Sequence, residues 1–206
     1  LITFCSLHDE ITIRKTNGEK DKINFLGQFK KGIKKKSNTI SKMLQLLRSE
    51  KILNNCYFRV NVKKNIPHGS GLGGGSINAA TLLNFLNLKL KLNLKKNKIY
   101  ELARKVGFDT PVGLCKKNTF LFGKNNQILR FSNKFNLNIL IVYPNLICST
   151  KKMYLKNKKF SKYINLPNFN TIKKEKLINF LKKENNDLEE SAIKNYPKIK
   201  KVVNFV

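Results

Sequence analysis

A cluster of glycines between residues 67 and 81 constrains this chain more than any other feature of its sequence. The stretch reads PHGSGLGGGSINAAT, and five of the seven residues from Gly69 to Gly75 are glycine. Glycine adopts positive φ without a steric penalty and lets a ligand approach the backbone closely. Because an apolar helical pattern begins at Ser76, we predict a loop whose N–H groups, together with a helix N-terminus, bind an anion such as a phosphate chain.

Three phosphate-binding designs compete with a plain glycine turn, and the residues alone test two of them. A Walker loop ends in Gly-Lys-Ser/Thr, whereas the residue directly before Ser76 is Gly75 and not a lysine. A dinucleotide fingerprint is formally matched by Gly69, Gly71 and Gly74, but it needs an acidic residue about 20 positions later. No Asp or Glu lies between Glu50 and Glu101. These two designs are therefore disfavoured.

The charge balance raises a different class of function. The chain has 42 Lys and Arg against 12 Asp and Glu, a formal net charge of +30. A nucleic-acid-binding module is one interpretation. Only five of the 42 are arginine, and the lysines are spread along the chain, whereas phosphate and base recognition favours arginine with stacking aromatics. We therefore expect no nucleic-acid partner, although the positive charge would attract an anionic substrate.

Cysteine use and hydropathy bear on the compartment. The four cysteines form no CxxC pair and no apolar run approaches the length of a membrane span. We expect reduced thiols, no membrane association and a cytoplasmic protein.

Hydrophobic periodicity predicts strands and helices in alternation. We expect an antiparallel meander of strands at 2–7, 10–14 and 22–25, and later strands at 57–62, 119–122, 127–131 and 137–143. Helices are expected from an N-cap at Ser37 to Arg48, from Ser76 to about 88–90, over 98–106 up to Gly107, and in the tail from 171 to 206. The lysine-rich stretch 151–162 is expected to be a solvated connection.

Two motif blocks resemble those of the GHMP kinase superfamily. The glycine loop resembles that family's Pro-x-x-x-Gly-Leu-Gly-Gly-Gly-Ser-Ser-Asn-Ala-Ala-Thr loop, with departures at His68, Ser70 and Ile77. The segment GFDTPVGLCKKNTFLFGKNNQIL resembles the Gly-Ala/Ser-Asp-Val-Pro-Phe block with its following strands. The resemblance implies an α+β fold of two domains. Residues 1–132 would form an ATP-binding N-terminal domain with a left-handed β-α-β fold of ribosomal-protein type, and residues 133–206 the start of an incomplete α/β domain.

The resemblance also assigns roles to residues. It makes Asp109 the catalytic residue and Ser76 a Mg²⁺ ligand. It places Asn38, in the segment SNTISKMLQLL, near the adenine of ATP. It also places Thr150 and Tyr154, in the segment LIVYPNLICSTKKMY, at the cytidine end of a cytidine-containing substrate. The ATP-binding loop would comprise Pro67, His68, Gly69, Ser70, Gly71, Leu72, Gly73, Gly74, Gly75, Ser76 and Ile77. From the residues alone, helix capping remains open for Asp109, Ser76 and Asn38, and a plain surface position for Tyr154.

The implied reaction is ATP-dependent phosphorylation of the 2-hydroxyl of a diphosphocytidyl methylerythritol in non-mevalonate isoprenoid synthesis. A homoserine or mevalonate type of kinase is the alternative. The family's catalytic lysine and a Tyr-His pair would precede Leu1, and a further glycine-rich motif would follow Val206. We therefore expect these 206 residues to be part of a longer chain and to be inactive without its ends.

Overall fold

The structure is a computed structural model that describes residues 1–122, 127–132, 135, 137–146, 148, 150–157 and 166–205, without the side chains of residues 150–152. The chain divides into two compact units. The first unit comprises residues 1–68 and 72–129, and the second comprises residues 69–71 and 130–206.

The first unit is built on a three-stranded sheet. Its strands are β1 (Glu10–Thr16), β2 (Lys22–Leu26) and β3 (Tyr57–Lys63), in the order β1-β3-β2. Strand β3 pairs antiparallel with β1 and parallel with β2. The predicted meander is therefore wrong: β3 carries the fully buried row Phe58, Val60 and Val62 and takes the centre, and half-buried β1 and β2 take the edges. Residues 2–7 form a single bridge, between Ile2 and Thr119.

Three helices complete the first unit's core. They are α1 (Thr39–Ser49), α2 (Gly74–Lys89) and α3 (Lys96–Val106). The buried side chains of β3 and these helices form one cluster, which includes Ile40, Met43, Leu44, Leu47, Leu82, Leu83, Leu86 and Leu102. The hydrophobic periodicity that predicted α1 thus reflects the side chains that the helix buries in this core.

Two helix starts differ from the predictions. Helix α1 is capped by Asn38 rather than Ser37, because the Asn38 side chain accepts a hydrogen bond from Ser41 N at 2.9 Å. Helix α2 begins at Gly74 rather than at Ser76. Gly73 has a φ of 70°, and this left-handed turn lets the chain enter the helix two residues earlier.

A short turn of 3-10 helix (Thr110–Leu114) follows α3 and packs against α2. The two-stranded sheet of β4 (Asn118–Phe122) and β5 (Gln127–Phe131) comes next, where the sequence predicted two strands.

The second unit contains helices α4 (Thr150–Lys156), α5 (Lys174–Lys183), α6 (Glu189–Asn195) and α7 (Pro197–Val203). The strand predicted at 137–143 is wrong: these residues pair with no strand of the described chain, and Leu140 is 82% exposed. A strand needs a neighbour for its N–H and C=O groups. Helix α4 occupies the first half of the predicted 151–162 connection, whose residues 158–162 lie outside the described ones. Among the helices described, none combines the length and apolarity needed to cross a bilayer.

Candidate active site

The glycine loop owes three of its glycines to backbone conformation. Gly69, Gly71 and Gly73 have φ values of 70°, 79° and 70°, in the left-handed region that favours glycine. A Cβ placed on Gly71 or Gly73 would meet nothing within 4 Å. The space beside these two residues is therefore open.

Packing explains the next two glycines. A Cβ on Gly74 would lie 3.1 Å from Ile66 Cγ2, and one on Gly75 would lie 3.3 Å from Thr39 Oγ1. The Thr39 hydroxyl also donates a 2.7 Å hydrogen bond to the Gly75 carbonyl. The first turn of α2 is therefore packed between Ile66 and Thr39, the first residue of α1.

This first turn has the properties of an anion site. Ile77 N donates to Gly73 O at 3.0 Å, which is the first hydrogen bond of the helical pattern. The N–H groups of Gly74, Gly75 and Ser76 precede it and therefore have no acceptor within the helix. The turn contains no acidic residue, so no side chain of its own offsets the positive end of the helix dipole. These groups are suited to binding an anion.

Asp109 lies in the turn between α3 and the 3-10 helix and is exposed. Its carbonyl accepts from Val112 N at 3.2 Å, but its side chain makes no capping hydrogen bond. Within the described chain, no hydrogen bond or ion pair engages the carboxylate. The neighbouring Phe108 is 78% exposed. The turn thus presents a carboxylate to solvent.

The Asp109 turn lies along the first two turns of α2. A Cβ on Gly113 would come within 2.8 Å of Ala80 Cβ and 2.9 Å of Ile77 Cδ1. A Cβ on Gly107 would lie 3.1 Å from Thr110 Oγ1 and 4.0 Å from Ser76 Oγ. The fold therefore brings the Ser76 hydroxyl to the turn that carries Asp109, although 33 positions separate the two residues in the sequence.

A buried carboxylate that the motif analysis missed lies behind the loop. The Asp9 side chain is 0% exposed and pairs with Lys64, which is 5% exposed. It accepts hydrogen bonds from Ile66 N at 2.9 Å and Asn78 Nδ2 at 2.8 Å. Burial raises the pKa of Asp9, but the bonds from Lys64, Ile66 and Asn78 outweigh it, so the pKa lies below its ordinary value. The position of Asp9 directly before β1 was the only available signal.

Asn38 acts as a helix cap in this structure. Its side-chain oxygen accepts from Ser41 N, and its side-chain nitrogen donates to the carbonyls of Lys34 and Lys35, both at 2.9 Å. Both ends of the amide are therefore engaged at the start of α1.

The second unit holds the residues predicted to bind substrate. Tyr154 is on α4 and is 59% exposed. Thr150 begins the same helix, but its side chain lies outside the described ones. In the same unit, Cys148 N donates to Gly69 O at 3.0 Å.

A cavity of about 920 Å³ lies elsewhere in the first unit, along β2, α1 and β3. Its basic lining residues are Lys20, Lys22, Lys35, Lys36, Arg48 and Arg59. None of the loop residues lines it, and neither does Asp109. The described residues contain no group of three or more His, Cys, Asp or Glu side chains able to hold a metal ion.

Comparison with known proteins identifies the family. The profile of the GHMP kinases N terminal domain matches residues 38–117. The 4-diphosphocytidyl-2-C-methyl-D-erythritol kinase of Pelagibacter ubique is 43% identical over the whole of this chain, which spans 72% of that relative. The enzyme of the same name from Petrotoga mobilis is 34% identical over 80% of this chain, which spans 65% of it.

Solved structures agree on the fold. A crystal structure of 4-(cytidine 5'-diphospho)-2C-methyl-D-erythritol kinase matches 96% of this chain with a TM-score of 0.64 at 23% identity, over 68% of its own length. A homoserine kinase from Cytophaga hutchinsonii matches 74% of the chain with a TM-score of 0.54 at 16% identity, over 52% of its own length. The predicted α+β class is confirmed. From its whole-length similarity, this chain belongs to the 4-diphosphocytidyl-2-C-methyl-D-erythritol kinase family of the GHMP kinases.

Proposed function

We propose that this protein uses ATP to phosphorylate the 2-hydroxyl of 4-diphosphocytidyl-2-C-methyl-D-erythritol in the non-mevalonate isoprenoid pathway, in the cytoplasm. Family membership makes it a small-molecule kinase. One structural observation carries the proposal: the turn that bears Asp109 packs directly on the first two turns of α2. The turn that carries this carboxylate therefore lies next to the helix start that would bind the phosphates.

The first turn of α2 would hold the phosphate chain. The N–H groups of Gly74, Gly75 and Ser76 are free of helical acceptors and point along the helix axis. Oriented N–H groups stabilise the charge that builds up on phosphate oxygens during transfer. Open space beside Gly71 and Gly73 leaves the backbone accessible to a ligand.

Asp109 would act as the general base. Its carboxylate has no competing partner among the described residues and is therefore available to accept the proton of the attacking hydroxyl. An aspartate that served only as a cap would have its oxygen on a backbone N–H. The absence of that bond at Asp109 favours the catalytic role over the structural one.

Mg²⁺ is part of the proposal, and Ser76 is the residue that would hold it. The Ser76 hydroxyl is half-buried at the base of the Asp109 turn. Bound there, the ion would neutralise phosphate charge. Since Mg²⁺ is commonly bound through substrate phosphates with few protein ligands, the lack of a carboxylate cluster among the described residues fits this mode of binding.

The remaining site assignments stay predictions. Asn38 would lie near the adenine of ATP, with its side-chain amide engaged in the cap of α1. Thr150 and Tyr154 would contact the cytidine end. We keep the left-handed β-α-β arrangement of β2, α1 and β3, and a domain boundary near residue 132, as parts of the same proposal.

The test is an ADP-release assay on the protein expressed from its complete reading frame. Turnover is expected with the diphosphocytidyl compound and not with homoserine or mevalonate. Turnover of homoserine or mevalonate instead would reassign the substrate. Tight RNA or DNA binding at physiological salt, without ATP binding, would favour the nucleic-acid alternative and contradict the kinase.

A further inference from the structure

Asp9 joins the two ends of the glycine loop. Before the loop, its Oδ1 accepts from the backbone N–H groups of Asn65 and Ile66 at 2.8 and 2.9 Å. After the loop, its Oδ2 accepts from Asn78 Nδ2, on the second turn of α2, at 2.8 Å. One carboxylate therefore binds the residues that flank Pro67–Ile77 on both sides.

The contacts of Asp9 restrain the residues that they join, because they are made by a buried charge. The Asp9 carboxylate is 0% exposed and is ion-paired with Lys64, which is 5% exposed, so it is a charged acceptor shielded from water. Hydrogen bonds to a charged, desolvated group are stronger than those between neutral groups. Lys64 also bonds through its backbone to Leu26 at the end of β2, at 2.8 Å. The loop ends are thereby fixed to the sheet.

A second contact carries this restraint to the proposed phosphate donors. Ile66, whose N–H Asp9 holds, packs against Gly74, where a Cβ would lie only 3.1 Å from Ile66 Cγ2. Gly74 supplies the first free N–H of α2. A change in the position of Asp9 would therefore move both sides of the turn that aims the donors at the anion.

We propose that Asp9, through Asn78, is a positioning residue that sets the opening of the glycine loop and the aim of the α2 N-terminus. This inference rests on the proposed function of the loop in holding ATP phosphates. Asp9 itself is sealed from ligand and does no chemistry. Its effect would be on nucleotide affinity, beyond any effect on the stability of the fold.

The chain supplies a matched pair of variants. Asn78→Leu breaks the link between Asp9 and α2 while leaving Asp9, Lys64 and Ile66 in place. Asn84→Leu, on the same helix, removes a comparable hydrogen bond, from Asn84 Nδ2 to Leu114 O at 3.1 Å, at a position further along the helix from the loop. Any general cost of losing an asparagine from α2 appears in both variants.

Two quantities are measured on the protein expressed from its complete reading frame: the affinity for the β,γ-imido analogue of ATP, and hydrogen exchange without nucleotide at the hydrogen-bonded amides of Ile66 and Ile77, which flank the loop. We expect Asn78→Leu to weaken binding about tenfold or more and to speed exchange at these amides. Asn84→Leu should leave both near wild type at equal folded fraction. Should Asn78→Leu not fold, Asn78→Ala is measured in its place.

Equal affinity and equal exchange in the two variants would overturn the inference. The proposed function fails separately, if wild-type protein does not bind the analogue. In that case the exchange rates alone decide whether Asp9 controls the loop, because they are measured without nucleotide.

Discussion

Two aspartates near the start of α2 have opposite surroundings. Asp9 is fully buried, is paired with Lys64, and accepts hydrogen bonds from both sides of the glycine loop. Asp109 is exposed in the turn on the other side of the helix, and its carboxylate makes no bond within the described chain.

The two surroundings suit two different roles: a fully bonded carboxylate holds a site in place, and an unbonded one can take part in chemistry. A carboxylate with every oxygen occupied by donors has no capacity left for a substrate proton, whereas a free one does. A buried charge is costly to disturb, and an exposed one is not. Asp9 should therefore govern stability and loop geometry, and Asp109 should govern turnover.

The largest expected effect is on catalysis at Asp109. Asp109→Asn should lower turnover by about 10² to 10⁴-fold, because the amide cannot accept the hydroxyl proton. Binding of the ATP analogue and the melting temperature should stay at wild-type values. Glu19→Gln, which changes another exposed carboxylate, is the control and should leave turnover unchanged. Full activity in Asp109→Asn would remove the aspartate from its proposed role.

The next effect is on stability at Asp9. Asp9→Ala should cost about 3 to 5 kcal/mol in the free energy of unfolding, because Lys64 would remain buried without its partner. The adjacent Glu10 is a natural control, since its ion pair with Lys63 is 53% and 54% exposed, and Glu10→Ala should leave the free energy of unfolding near its wild-type value. Urea unfolding measures both. Equal losses in the two variants would contradict the contrast.

A smaller effect tests the packing that brings Asp109 to α2. Gly113→Ala would place a methyl group 2.8 Å from Ala80 Cβ and 3.1 Å from the Ile77 backbone. We expect a loss of about 1 to 3 kcal/mol from overpacking, together with lower turnover as the Asp109 turn moves. Gly18→Ala, in an exposed turn, should change neither quantity. Wild-type stability and turnover in Gly113→Ala would show that the contact does not position Asp109.

The smallest effect is on the acid limb of the stability curve. The pKa of Asp9 lies below its ordinary value, so its ionised form stabilises the folded state above the unfolded pKa. That contribution is lost as the pH falls through the lower folded pKa. Asp9→Asn should therefore flatten the decline of stability below about pH 4. An unchanged acid limb, measured by urea unfolding at several pH values, would mean that Asp9 does not titrate as the structure indicates.

Local sequence patterns predicted α1, α2, α3 and the glycine-rich turn before α2 well, because helical periodicity and a glycine run are short-range signals. Strand order was not predictable in this way: whether β1 pairs with β2 or with β3 depends on contacts between distant residues. The strand expected at 137–143 failed for a similar reason, since an apolar run becomes a strand only beside a partner.

The candidate site shows the same contrast between short-range signals and long-range contacts. Asp109 was found through a motif, whereas Asp9 has no motif and its importance depends on Lys64 and Asn78, which lie 55 and 69 positions away. The α2 start was misplaced by two residues because the pattern of side chains cannot reveal the left-handed turn at Gly73.

Hydrogen exchange with and without the ATP analogue tests the role of α2 most directly. We predict that the analogue slows exchange at the amides of Gly74, Gly75 and Ser76. Unchanged exchange at these amides, with slowing instead in the basic cavity around residues 20–24, 35–36 and 59, would contradict the assignment of the phosphate site to the start of α2.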